Sequence, residues 1–180
     1  KVLNGVNLQV HKRERIAIVG ETGCGKTTTV SAIAQILAKQ ARIDKGEIFF
    51  NGKSVLKMNA KELKKMRENG ISIIFQDPIA SLNPVFTIGN QMREVIRYSG
   101  IDGATDKNVQ TERTIAALKE TSMPDPERIM ESYPFQLSGG MRQRICIAMS
   151  LSTPRDLVIA DDKSRCYYPR SSSENSQSAS

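Results

Sequence analysis

The chain has 180 residues, 39% hydrophobic and 25% charged, with a formal net charge of +7. That is enough for one domain with a sizeable core, and the balance is that of an ordinary globular protein. No apolar run approaches the ~18 residues of a membrane span, no secretory signal pattern opens the sequence, and Cys24, Cys146 and Cys166 form neither a disulfide framework nor a zinc-binding pair.

The sequence opens at Lys1 inside what reads as a strand (Val2, Leu3, Val6, Leu8, Val10), so a piece of a longer protein is expected. "RIAIVG" (15–20) is apolar and β-branched, and predicts a short buried strand. A glycine-rich loop follows, then a helix from about Lys26, with Val30, Ile33, Ala34 and Leu37 on one face. "GEIFFNG" predicts one arm of a hairpin turning at Asn51-Gly52. Asn59 followed by Glu62 spells a capping box, Gly70 stops that helix, and "ISIIFQ" (71–76) is a second buried strand. The basic cluster Lys61, Lys64, Lys65 and Arg67 fits a solvated helix face better than a nucleic-acid surface, so no nucleic-acid partner is expected.

Thr87 caps a helix bearing Ile88, Met92, Val95 and Ile96, ended by Gly100. Further helices follow at roughly 109–121 and 127–132, the prolines Pro124 and Pro126 breaking the chain between them. Ser138 caps a helix over 139–151, and "DLVIAD" is a third buried strand. Strands alternating with helices imply a mainly parallel sheet wrapped by helices.

Gly20-x-x-x-x-Gly25-Lys26-Thr27 matches the P-loop pattern, with a predicted strand before it and a helix after. Bare glycines let successive backbone N–H groups curl around phosphate oxygens, with the positive end of a helix behind them. The nucleotide-contacting stretch is Gly20, Glu21, Thr22, Gly23, Cys24, Gly25, Lys26, Thr27 and Thr28. Lys26 would reach the β- and γ-phosphates of ATP, and the Thr27 hydroxyl would ligate Mg²⁺. Asp161, delivered to the tip of an apolar strand, is the carboxylate expected beside that metal. Cys24 lies in the loop near a helix start, where a thiolate is favoured, although a small residue tolerated at a variable position explains it as well. Ser138, Gly139 and Gly140 offer a hydroxyl and N–H groups at another helix start, a second anion site.

Beyond the P-loop, "LSGGMRQR" (137–144) resembles the signature of the ATP-binding-cassette ATPases. "FQDPIASLNP" (75–84) resembles the Q-loop region of cassettes serving oligopeptide, dipeptide and nickel importers. The resemblance runs from about Val2 to Asp161. It implies an α/β P-loop NTPase fold of the cassette type, a mainly parallel core sheet with an antiparallel β segment and a helical subdomain. The cassette would occupy residues 1–162, with the helical subdomain at about 83–150. It further implies that Ser138, Gly139 and Gly140 contact the γ-phosphate of ATP held by a second cassette, identical or homologous, two cassettes closing head to tail over two ATPs. Gln76 would ligate Mg²⁺ and sense the nucleotide, and Asp162 would stand where the family places its catalytic glutamate, one methylene shorter. Membrane-spanning transporter subunits would be direct partners and an extracytoplasmic solute-binding protein an indirect one, with the chain held at the cytoplasmic face. A soluble cassette ATPase acting in DNA repair or on ribosomes, and a remnant that only binds nucleotide, are the rival readings.

The sequence departs from the family in two further respects. No aromatic residue precedes Phe49, where the family stacks adenine, and the single histidine, His11, lies before the P-loop. A weak or inactive hydrolase is therefore expected. Residues 163–180 have no apolar period and are expected to be disordered and foreign to the family fold, through a frameshift, a misjoined exon or truncation; a divergent natural C-terminus is the alternative.

Overall fold

Two short apolar runs from distant parts of the sequence meet as a parallel pair. A computed structural model, which describes residues 2–75, 77 and 81–161, places Ile71–Ile74 (β3) beside Leu157–Ala160 (β4), in register from Ile71↔Leu157 to Ile74↔Ala160. Gln76, Asp162 and the 163–180 tail lie outside the described residues. The ladder continues one step past β4, where the Asp161 amide donates to the Ile74 carbonyl at 2.9 Å. It is anchored at its start as well: the Asp156 amide donates to the Gly70 carbonyl, and Arg155 donates to the Glu68 carbonyl.

The first helix, α1 (Lys26–Ile33), follows the glycine-rich loop and stops at the Ala34 C-cap, before Leu37. Phe49–Phe50 (β1) and Lys53–Ser54 (β2) pair antiparallel across Asn51 and Gly52. Both turn residues sit at positive φ (49° and 76°), the backbone that a two-residue hairpin of matching twist demands and that Asn-Gly supplies most readily. The Asn51 side chain donates to the Asp156 carboxylate at 2.9 Å and ties the hairpin to the entrance of β4. α2 (Ala60–Lys65) starts on a complete Asn59/Glu62 capping box, then widens into a π turn, Met66–Gly70, that feeds β3. Val55, Met66 and Ile71 form the small core between hairpin, π turn and sheet.

The larger core is helical. In α3 (Ile88–Arg97), Ile88, Met92 and Ile96 recur every four residues and are fully buried, as a helix packing one stripe inward requires. Ile88 and Met92 share a core with Leu118 of α4 (Lys107–Glu120), Ile129 of α5 (Pro126–Glu131) and Ile145 of α6 (Gly139–Leu151). Each fully buried side chain of this size is worth about 1.5–3 kcal/mol. Gly89 permits the close crossing of α3 and α5, since a Cβ there would lie 2.9 Å from the Met130 carbonyl oxygen. Two buried hydroxyls are satisfied within their own helices: Thr114 donates to the Gln110 carbonyl and Ser150 to the Cys146 carbonyl. α6 also touches β3, which joins the helical core to the sheet.

The expected strands at the N-terminus do not form. Residues 2–10 and 15–20 take part in no ladder among the described residues, and Ile16, Ile18 and Val19 are exposed, Val19 by 91%. An apolar β-branched run becomes a buried strand only when a neighbouring strand accepts its backbone groups. Among the described residues only β3 and β4 pair in parallel.

Candidate functional site

The glycine-rich loop closes on its own lysine. Gly23 and Gly25 lie at φ 87° and 101°, in the left-handed region that glycine adopts without strain. The Lys26 ammonium donates to the carbonyls of Gly20 and Glu21 at 2.6 and 2.7 Å, and stands 3.4 Å from the Cys24 thiol. A flexible cation is thus held inside the ring of residues 20–25. The Cys24 sulfur lies over the first glycine of the loop: a Cβ on Gly20 would come within 2.7 Å of it, so the thiol would have to turn away. Glu21 turns the loop, its carbonyl also accepting from the Cys24 amide at 3.3 Å, while Thr22 is exposed at the rim.

Behind the loop, α1 begins differently from the other α-helices of the described residues. Asn59, Thr87, Asp106, Asp125 and Ser138 each cap a helix through the side chain. Gly25 has no side chain to give, so the first amides of α1, at Lys26, Thr27 and Thr28, have no capping side chain. Uncapped helix N–H groups, the positive end of the helix and an ammonium together favour an anion with several oxygens, and a polyphosphate fits that donor set.

Two of the metal-binding candidates, Thr27 and Asp161, come together. The Thr27 hydroxyl donates to Oδ1 of Asp161 at 3.1 Å, across 134 residues of sequence. β4 brings Asp161 there, its backbone amide already fixed on Ile74. A hydroxyl and a carboxylate side by side are hard oxygen ligands of the kind Mg²⁺ accepts, next to the place where phosphate oxygens would complete the shell. Gln76 and Asp162, the other two expected members, lie outside the described residues.

The second anion-site candidate is the start of α6. The exposed Ser138 caps it, its hydroxyl accepting from the Met141 amide at 3.3 Å. Gly139 and Gly140 are exposed, and a Cβ on either would meet nothing within 4 Å. A ligand can therefore approach that backbone closely. Arg144, which sequence alone leaves between a solvated charge and a functional one, donates to the Ser122 carbonyl at 3.0 Å and pins α6 to the end of α4. Sequence reasoning passed over a stacked pair of rings just upstream, Tyr133 and Phe135 (centroids 5.5 Å apart, 16° between planes). The aromatic-Pro-aromatic spacing was the available signal.

The two cysteines of the described residues differ sharply. Cys24 is exposed in the loop, whereas Cys146 is buried in α6, where burial and then the charge of Asp77 push its thiol up to about 11.

The chain matches the ABC transporter family over residues 3–165. Among curated relatives, the "Probable peptide ABC transporter ATP-binding protein y4tR" of Sinorhizobium fredii is 40% identical over 163 residues, covering 90% of this chain and 48% of the relative. The dipeptide transport ATP-binding protein DppD of Bacillus subtilis is 38% identical over 164 residues, with 90% and 48% covered. The chain thus spans about half the length of the curated relatives it matches. Among solved structures, the dimeric ATP-binding cassette MJ0796 in a post-hydrolysis state with ADP and Pi superposes with a TM-score of 0.76 at 26% identity, covering 88% of this chain and 65% of that one. The chain therefore belongs to the ABC transporter family and has the fold of its ATP-binding cassettes.

Proposed function

We propose that the chain is the ATP-binding part of an importer of peptides or related small solutes, acting through membrane-spanning partners that carry the solute. The relatives' roles in peptide and dipeptide transport support that substrate class. No helix among the described residues is long and apolar enough to cross a membrane. In this reading the membrane-spanning partners hold the chain at the cytoplasmic face. The observation that carries the nucleotide half of the proposal is the Thr27–Asp161 hydrogen bond, which joins the two residues proposed as cation ligands.

In this reading the loop from Gly20 to Thr28 holds the phosphates. Lys26 exchanges the Gly20 and Glu21 carbonyls for β- and γ-phosphate oxygens, and Thr27, Asp161 and Gln76 hold the Mg²⁺. The metal, when bound, draws charge from the transferring phosphate. Asp162, next in sequence to Asp161, is the carboxylate proposed to orient the attacking water. Its reach is about one C–C bond shorter than a glutamate's, and a misplacement near 1 Å can cost ~10²-fold, so hydrolysis by this chain is slow. Ser138, Gly139 and Gly140 serve the γ-phosphate bound to a second cassette.

The test is Ser138→Arg. It should leave Mg-ATP binding by the monomer intact and abolish nucleotide-driven dimerisation, measured by light scattering after size exclusion. Loss of ATP binding by the monomer would show that Ser138 acts on its own chain's nucleotide and would sink the two-cassette arrangement.

A further inference from the structure

We propose that Phe135, stacked on Tyr133, is the platform for the adenine ring of ATP held in the P-loop of a second copy of this chain, an inference that rests on the two-cassette reading above. Phe135 is 69% exposed and Tyr133 37% exposed, although the two rings lie almost parallel. Two aromatic faces left in water beside a polar helix start offer apolar area and a π-face to a ligand.

The pair is held firmly in place. Pro134–Gln136 forms a single turn in which the Tyr133 amide donates to the Gln136 side-chain oxygen at 2.7 Å, and the Gln136 amide returns to the Tyr133 carbonyl at 3.0 Å. Pro134 and Leu137 are buried and anchor the turn on the helical core. Phe135 is three residues before Ser138, so at most about 10 Å of chain separates the ring from the helix start. No glycine lies between them to act as a hinge.

A nucleotide has two recognisable ends, a polyanion and a flat base. The start of α6 suits the first and the Phe135 ring the second, with ribose and intervening phosphates spanning the gap. Because Ser138 is assigned to the γ-phosphate of the second copy's ATP, the ring beside it meets the base of that same molecule. Phe135 would then add base recognition to the signature's phosphate contact and make dimer closure dependent on the nucleobase.

The sequence contains no tryptophan, so Phe135→Trp installs a single reporter. Mg-ATP should quench its emission only at protein concentrations where the dimer forms. Adding Ser138→Arg should remove the quench, and magnesium tripolyphosphate, which lacks a base, should produce none. Phe135→Ala should raise the ATP concentration for half-maximal dimerisation about 5- to 150-fold, the range expected for one lost base–aromatic stack. The same variant should leave monomer affinity for Mg-ATP unchanged, and Phe135→Tyr should restore dimerisation. Quenching in the monomer, quenching by magnesium tripolyphosphate, or unchanged dimerisation in Phe135→Ala would each overturn the assignment while leaving the two-cassette reading standing. No Mg-ATP-driven dimer in the unsubstituted chain would overturn that reading and this inference with it.

Discussion

Thr27→Val removes one hydroxyl and nearly preserves the side chain's shape, so it isolates the link between loop and strand. Before any ligand is added, the loss is one O–H···O⁻ contact of 3.1 Å to Asp161. A hydrogen bond to a charged group is worth about 1.5–3 kcal/mol where solvent is excluded. Thr27 is exposed, and screening brings the figure to about 0.5–1 kcal/mol. For a chain of this size that lowers Tm by about 1–4 °C. With Mg-ATP the loss should be larger, because the missing oxygen is a proposed ligand of the metal: affinity should fall at least about 10-fold, equivalent to ~1.4 kcal/mol. In EDTA, where Thr27 has no metal to hold, ATP affinity should match that of the unsubstituted chain. Calorimetric titrations with Mg²⁺ and with EDTA, and melts of Thr27→Val, Asp161→Asn and the double variant, complete the cycle. The two substitutions should be non-additive, since Thr27→Val removes the bond whose charged acceptor Asp161→Asn makes neutral. Equal losses of ATP affinity with and without Mg²⁺, or strictly additive melts, would refute the assignment of this pair to the metal.

Three other features make sharp predictions. Cys24 should react with a bulky maleimide in the native chain and be shielded by Mg-ATP, followed by mass mapping of its peptide; equal labelling with and without nucleotide would move Cys24 away from the phosphates. Cys146 should resist the same reagent until the chain is unfolded. Because its folded pKa, about 11, lies above the ordinary 9.0 of the unfolded thiol, stability should be unaffected below pH 9 and decline as pH rises from about 9 toward 11. That decline should vanish in Cys146→Ala, and its persistence would trace the effect to another group. Gly89→Ala should lower stability by about 1–3 kcal/mol, because the new methyl group meets the Met130 backbone rather than a side chain that can swing away; a melt like that of the unsubstituted chain would show that α3 and α5 can separate at no cost.

Much of the site was legible because local chemistry and tertiary placement agree. Asn59, Thr87 and Ser138 cap the helices their spacing announced, and Asn51-Gly52 makes the hairpin turn it predicts. β3 and β4 were visible as apolar runs, and the P-loop threonine meets the strand-end aspartate as the motif order requires. What pairing alone decides was not legible. "RIAIVG" has the composition of a strand, but composition says nothing about whether a neighbour offers a free ladder edge, and here it remains exposed. The π turn at Met66–Gly70 and the Asn51–Asp156 tie join residues that no local period relates. Phe135 was missed for a different reason. Aromatic residues next to a helix start usually belong to the core, and only the packing shows that this pair faces outward.

The central claim is that residues 20–28 hold the phosphates of ATP, and titration of Mg-ATP into the unsubstituted chain and into Lys26→Ala tests it most directly. In the free chain Lys26 spends its donors on the carbonyls of Gly20 and Glu21, so the substitution removes no buried charge partner and the fold should persist. The lost contact between ammonium and phosphate should weaken binding by about 1.5–3 kcal/mol, or roughly 10- to 150-fold in Kd. Equal Mg-ATP affinity in the two folded proteins would contradict the account.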